Sequence, residues 1–218
     1  MAARILALIL LPWLAPAATA GPWPRAPAEV FASATSGLED AASRRRPFAE
    51  AYVEYGMGPQ WVLGSLLRRS SDGEGRGDIF ARWHPAPAGP AAFGLTVGAR
   101  LTDDAEDRRV APLLAAHVGR GSDTRFGNFW ARAGIQLVGN ARHAAERDIS
   151  AQMGVRTGWG GLAMLSLVDH RTRESRTLKL TPTLGYTLRA RSTVMVGATL
   201  LPQSRRVDGL HLSVWFNR

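Results

Sequence analysis

His211 and Ser213 stand two residues apart in "GLHLS", a spacing that puts both side chains on one face of an extended chain, where an imidazole could activate a hydroxyl. A lipid hydrolase built on that pair would need it turned toward lipid, with a third group to orient the imidazole. Leu210, Leu212, Val214 and Phe216 hold the alternate positions instead, and no acidic residue flanks the pair. Two polar positions on the face opposite those apolar residues are the stronger reading, and no enzyme activity is expected. Glu50 and Glu54 also share a strand face. Paired carboxylates can divide acid and base roles, but charges on an enclosed face more commonly balance arginines. Five histidines, at 84, 117, 143, 170 and 211, show no metal-ligand spacing. No phosphate-binding loop, dinucleotide fingerprint or calcium repeat occurs, so neither a metal nor a cofactor is expected.

The elements that would position these groups are strands. "FGLTVGARL", residues 93–101, alternates Phe93, Leu95, Val97, Ala99 and Leu101 with Gly94, Thr96, Gly98 and Arg100. Twelve segments of this kind follow one another: 29–37, 48–57, 61–69, 77–84, 92–101, 110–119, 128–138, 148–158, 161–170, 175–188, 192–202 and 209–217. Their lengths are near the 9 to 11 residues of a tilted bilayer crossing. Ahead of them, residues 1–20 combine Arg4, an apolar run from Ile5 to Leu14 and small residues to Ala20, the layout of a cleaved export signal. The Pro-rich residues 21–28 read as a periplasmic lead-in, and 29–218 as one domain.

Alternation alone allows either a soluble barrel with its apolar row inside or a membrane barrel with that row outside. Several cues favour the membrane. The opposite rows are rich in small residues. The connections after odd segments, such as "TDDAEDRR" and "GNARHAAER", look longer and more charged than tight turns such as "WG". Trp61, Trp83, Tyr186 and Phe216 lie near segment ends, where aromatic residues suit membrane interfaces. The expected fold is therefore all-β: a transmembrane antiparallel β-barrel of about twelve strands after a cleaved signal peptide. Its expected address is the outer membrane of a Gram-negative bacterium.

With that orientation, Glu50, Glu54, Asp78, Arg82, Arg100, Arg132, Asp148, Arg156, Asp169 and Lys179 are expected to face the lumen and to pair across strands. Twelve strands should enclose a constricted or partly plugged bore. The chain has no cysteine, so no disulfide supports it, and its net charge of +9 is almost wholly arginine. Export makes nucleic acid an improbable partner. Membrane lipid is the better one, and Arg44, Arg45 and Arg46 in "SRRRP" are expected in an outside loop against lipopolysaccharide phosphates.

"EAYVEYGMGPQWVLG" at 50–64 resembles the strand-turn-strand of an outer-membrane barrel family named for a meta-pathway of phenol degradation. "GRGDIFARW" (75–83), "TLKLTPTLGY" (177–186) and "GLHLSVWFNR" (209–218) agree with it. The resemblance implies a transporter-like barrel passing small, sometimes aromatic, solutes, inserted by the barrel assembly machinery. One departure is that Asn217 and Arg218 follow Phe216, where such barrels usually finish on the aromatic residue. The function expected is a narrow pore or transporter for a small solute. The alternatives are a lipid hydrolase using His211 and Ser213, or a non-conducting structural envelope barrel.

Overall fold

Successive alternating segments joined by short connections can satisfy every backbone group only by pairing with both neighbours and closing on themselves. The chain does this. The computed structural model describes residues 23–41, 44–85, 91–103, 108–139, 146–189 and 191–218. The expected export signal therefore lies outside the described residues, as does His143. Twelve antiparallel strands follow: β1 (Val30–Ala41), β2 (Arg44–Gly56), β3 (Trp61–Ser70), β4 (Gly75–Trp83), β5 (Ala91–Asp103), β6 (Arg108–Thr124), β7 (Gly127–Val138), β8 (Glu146–Arg156), β9 (Gly161–Arg171), β10 (Arg176–Arg189), β11 (Ser192–Leu201) and β12 (Arg206–Asn217). Each pairs with its sequence neighbours, and β1 closes on β12 through a register running from Phe31↔Asn217 to Glu39↔Gly209. The expected fold class is the one observed.

The apolar rows point outward. Leu67, Ile79, Val97, Leu184 and Val196 all stand exposed on the outer wall, with Ile79 68% and Leu184 70% accessible. A continuous girdle of this kind is unfavourable in water and is the surface a bilayer covers. Two details differ from expectation. The outward aromatic residues Tyr55, Trp61, Trp83, Phe93, Tyr186 and Phe216 all gather at the end where β1 begins and β12 finishes, the terminal end. The opposite or loop end has no aromatic residue on the described outward rows and is ringed by charge instead.

The second difference is that the loop-end connections are not clearly longer than the terminal-end ones. Only residues 42–43 separate β1 from β2, and 104–107 separate β5 from β6. The charged residues once read as loops continue the ladders, because acid and base meet directly across the strands as Asp40↔Arg45 and Asp103↔Arg108. "SRRRP" is corrected by the same fact: Arg44, Arg45 and Arg46 belong to β2 rather than to a loop.

Two departures from regular pairing shape the interior. Pro182 has no N–H to give, and the β10–β11 register lapses between Leu180↔Leu200 and Thr183↔Gly197. A register shift between Thr199 and Leu200 lets Asp208 of β12 turn inward and become buried.

Candidate functional site

The inward rows divide the bore into two levels of opposite character. Toward the terminal end the rows carry large side chains lying flat over glycines. Trp130 covers Gly154 on the adjacent strand, where any Cβ would overlap the indole, and Phe80 lies over Gly64 and Gly98 in the same way. Trp130, Leu162 and Met195 are 4%, 4% and 2% exposed and form one cluster, with Trp23, Met164 and Trp215 packed against it. Side chains that face a lumen yet are this buried fill that part of the bore.

Trp23 belongs to the lead-in, which enters the mouth of the barrel rather than hanging below it. Arg25 is 3% exposed. Its Nε donates to Glu54 Oε2 at 2.8 Å, and its guanidinium lies 4.6 Å from the centre of the Phe31 ring. Backbone bonds hold the segment: Ala28 N to Gly56 O at 2.8 Å and Gly56 N to Glu29 O at 2.9 Å. Gly56 is required here, because a Cβ would run into the Ala26 carbonyl.

Glu54 is the hub of this layer, with no exposed surface. Besides Arg25 it accepts from Arg82 Nη1 at 2.7 Å and from the Tyr52 hydroxyl. Arg82 Nε reaches Thr96 Oγ1 at 3.2 Å. Arg132, on the inward row of β7, lies within electrostatic range of Tyr52, Glu54 and Arg82, and His117 within range of Arg82, Arg132 and His84. Two guanidiniums, those of Arg25 and Arg82, thus hold one carboxylate with Arg132 within electrostatic range, and Arg25 also meets Glu29 at 3.7 Å. Arg156 adds a fourth cation on the inward row near the terminal rim, beside Asn128 and Leu162. At this level four arginines outnumber the carboxylates of Glu54 and Glu29.

Above it, the loop half opens into a cavity of about 900 Å³, whose wall includes Glu50, Arg68, Asp148, His170, Lys179 and His211. Charge in this vestibule is paired. Arg68 joins Glu39 and, at 3.6 Å, Glu50, while Lys179 meets Asp208 at 3.4 Å and His170 Nδ1 donates to Asp148. One inward position below Arg76 and Thr102 of that wall, Arg100 forks onto Asp78 at 2.8 and 3.0 Å and reaches Glu146 at 3.1 Å. The guanidinium fork matches a carboxylate edge at two points, which suits Arg over Lys where the pair is buried.

Of the ten residues expected in the lumen, the structure places Glu50, Glu54, Asp78, Arg82, Arg100, Arg132, Asp148, Arg156 and Lys179 on inward rows. Asp169 is corrected. Its ladder partners are Ile149 and Leu178, both on the outward face, because β9 turns its even-numbered residues inward. It bonds Arg176 at 2.9 Å and Arg171 at 3.2 Å on the outer wall. Of the arginines assigned to lipopolysaccharide, Arg46 faces inward and pairs with Asp72, while Arg45 stays outward opposite Asp40. Nothing is described for the Arg44 side chain. Neither Ser213 nor His211 turns toward lipid: the Ser213 hydroxyl is shared with Thr35 Oγ1 at 2.8 Å, and His211 lies against Gly197 inside the barrel.

The sequence reading overlooked Trp23, Arg25, Tyr52 and His117. Tyr52 carried a usable signal, since it lies between Glu50 and Glu54 on the same face. Trp23 and Arg25 carried none beyond their setting in a Pro-rich segment.

No protein-family model and no curated protein matches the chain. Solved structures do. The NanC porin superposes with a TM-score of 0.66 at 8% identity, covering 85% of this chain and 98% of that one. The KdgM porin gives 0.59 at 10% identity over the same shares, and KdgM in complex with disordered oligogalacturonate gives 0.57 at 10%, over 84% and 98%. At such identities the likeness is one of fold.

Proposed function

We propose that the chain is an outer-membrane pore for a small anionic solute, closed in the described conformation by its own N-terminal segment. The observation that carries this reading is the order of the two levels: a charge-paired vestibule in the loop half leads to a level where Arg82, Arg132 and Arg156, which stay in the wall when the lead-in leaves, outnumber Glu54. A buried excess of positive charge favours anions and opposes cations, because the low dielectric of a narrow bore strengthens every such interaction. Likeness to porin folds supports the reading. The resemblance at 50–64 extends it to small aromatic acids, whose ring would meet Phe80 and Trp130 while the carboxylate meets arginine.

Passage requires the lead-in to leave the mouth. Trp23 and Arg25 occupy the place where a solute would exit, and the segment from residue 23 to 28 is tied by a few hydrogen bonds and the two ion pairs of Arg25 rather than by a strand ladder. Planar-bilayer recording tests both halves of the proposal. The purified full chain is expected to pass little current, and a chain lacking residues 21–28 several times more, with anions preferred. An insulating barrel in both forms refutes the pore and favours a structural envelope barrel. Cation preference in the shortened chain refutes the solute class alone.

A further inference from the structure

At two places on the described loop-end rim outward charges meet opposite charges directly across the strands, Asp40↔Arg45 and Asp103↔Arg108. Strands β8, β9 and β10 break that pattern. The register pairs Arg147 directly with Arg171, and Arg171 directly with Arg176, so three arginines stand side by side at one height on the outward face. Like charges directly opposite one another destabilise a sheet. One carboxylate answers them: Asp169, one outward position below, bonds Arg171 at 3.2 Å and Arg176 at 2.9 Å. No ion pair of Arg147 is seen among the described residues, and Arg173 and Glu174 of the connecting turn cancel each other. The patch keeps two positive charges in excess.

Its setting limits what can answer them. Immediately below lie Ile149, Leu167 and Leu178 of the lipid-facing girdle, so the arginines stand where acyl chains give way to headgroups. Arg171 and Arg176 remain 39% and 60% exposed. Aromatic anchors, which elsewhere mark that boundary, are confined to the terminal end of this barrel.

We infer that Arg147, Arg171 and Arg176 form a binding site for the phosphate group of a lipid headgroup in the leaflet at the loop end. A phosphomonoester carries between one and two negative charges and three acceptor oxygens, which match forked guanidinium donors better than a single carboxylate does. Asp169 holds Arg171 and Arg176 at a fixed height, and Arg147 closes the third side. The inference rests on the membrane-spanning orientation proposed above and is independent of whether the bore conducts.

The test uses the full barrel in nanodiscs of zwitterionic phospholipid doped with a bisphosphorylated glycolipid or its phosphate-free counterpart, with retained lipid counted by native mass spectrometry. The wild type is expected to retain the phosphorylated form. Arg147→Gln should lower retention about fivefold, while Arg108→Gln, at a charge-paired rim position, should leave it unchanged. Arg147→Gln leaves the Asp169 pairs in place, so its folding is checked by gel migration before and after heating. Equal retention by Arg147→Gln and wild type, or equal retention of the phosphate-free lipid, overturns the site. So does displacement of the lipid by millimolar inorganic phosphate, which would mark a site for free anion. Current through the bore is measured separately, so failure of the pore proposal leaves this result interpretable.

Discussion

Glu54 shows what one residue commits this barrel to. Its carboxylate has no solvent contact and accepts from Arg25, Arg82 and Tyr52, so its cost of burial is offset only while those donors stay in place. Glu54→Gln leaves two buried guanidiniums without that charge and is expected to cost about 3 to 5 kcal/mol, read from urea unfolding of the barrel folded into vesicles. An unchanged midpoint would show that the hub is dispensable. Gly154 makes a steric commitment of the same kind: Gly154→Ala forces the Trp130 indole off the wall, with an expected loss of about 1 to 3 kcal/mol in the same assay. That Glu54 faces arginines was legible from its strand position. That one of them is Arg25 was not, because a contact 29 residues away in a segment without periodicity leaves no local trace.

At the scale of the strand, alternation decides which substitutions the bilayer tolerates. Val97 is 54% exposed in mid-girdle, and Val97→Arg is expected to cost about 2 to 4 kcal/mol of folding free energy in vesicles. Thr177→Arg, on the inward row of β10 at the vestibule wall, should cost far less. Equal losses would reverse the assigned faces. The structure also removes a control that the sequence would recommend, since Thr96 is buried against Arg82 and an arginine there would meet a like charge. Strand positions were legible to within a few residues throughout, because a period of two survives in every segment. Asp169 shows where this reading slips: near a strand end the alternation is short, and only the ladder fixes which side a residue takes. The loop-end connections misled for a related reason. Charged residues suggest a loop, yet they extend a ladder when their cross-strand partners carry the opposite sign.

For the whole molecule, the vestibule and the filled level act in series, and the excess charge of the lower one should govern what passes. The anion preference of the chain lacking residues 21–28 is expected to be marked at 0.1 M salt and to weaken at 1 M, where the screening length falls from about 10 Å to about 3 Å. Reversal potentials under a salt gradient measure this. A preference independent of salt would assign selectivity to bore width rather than to Arg82 and Arg132 acting through their field. Arg25 leaves with the deleted segment, so Arg132→Gln in the shortened chain isolates the contribution of the wall.

The sequence by itself determined the strand number, the alternation that sends Val97 and Leu184 to the outside, and the concentration of acids and arginines on the inside, because each is written in near-neighbour spacing. Only the tertiary structure decided that Trp23 and Arg25 pack inside the mouth, that Asp169 stands outside, and that Arg147, Arg171 and Arg176 form one row. Those facts depend on register and on closure of β1 against β12, which are set by pairing between residues far apart in the chain and by the side chains that fill the enclosed space.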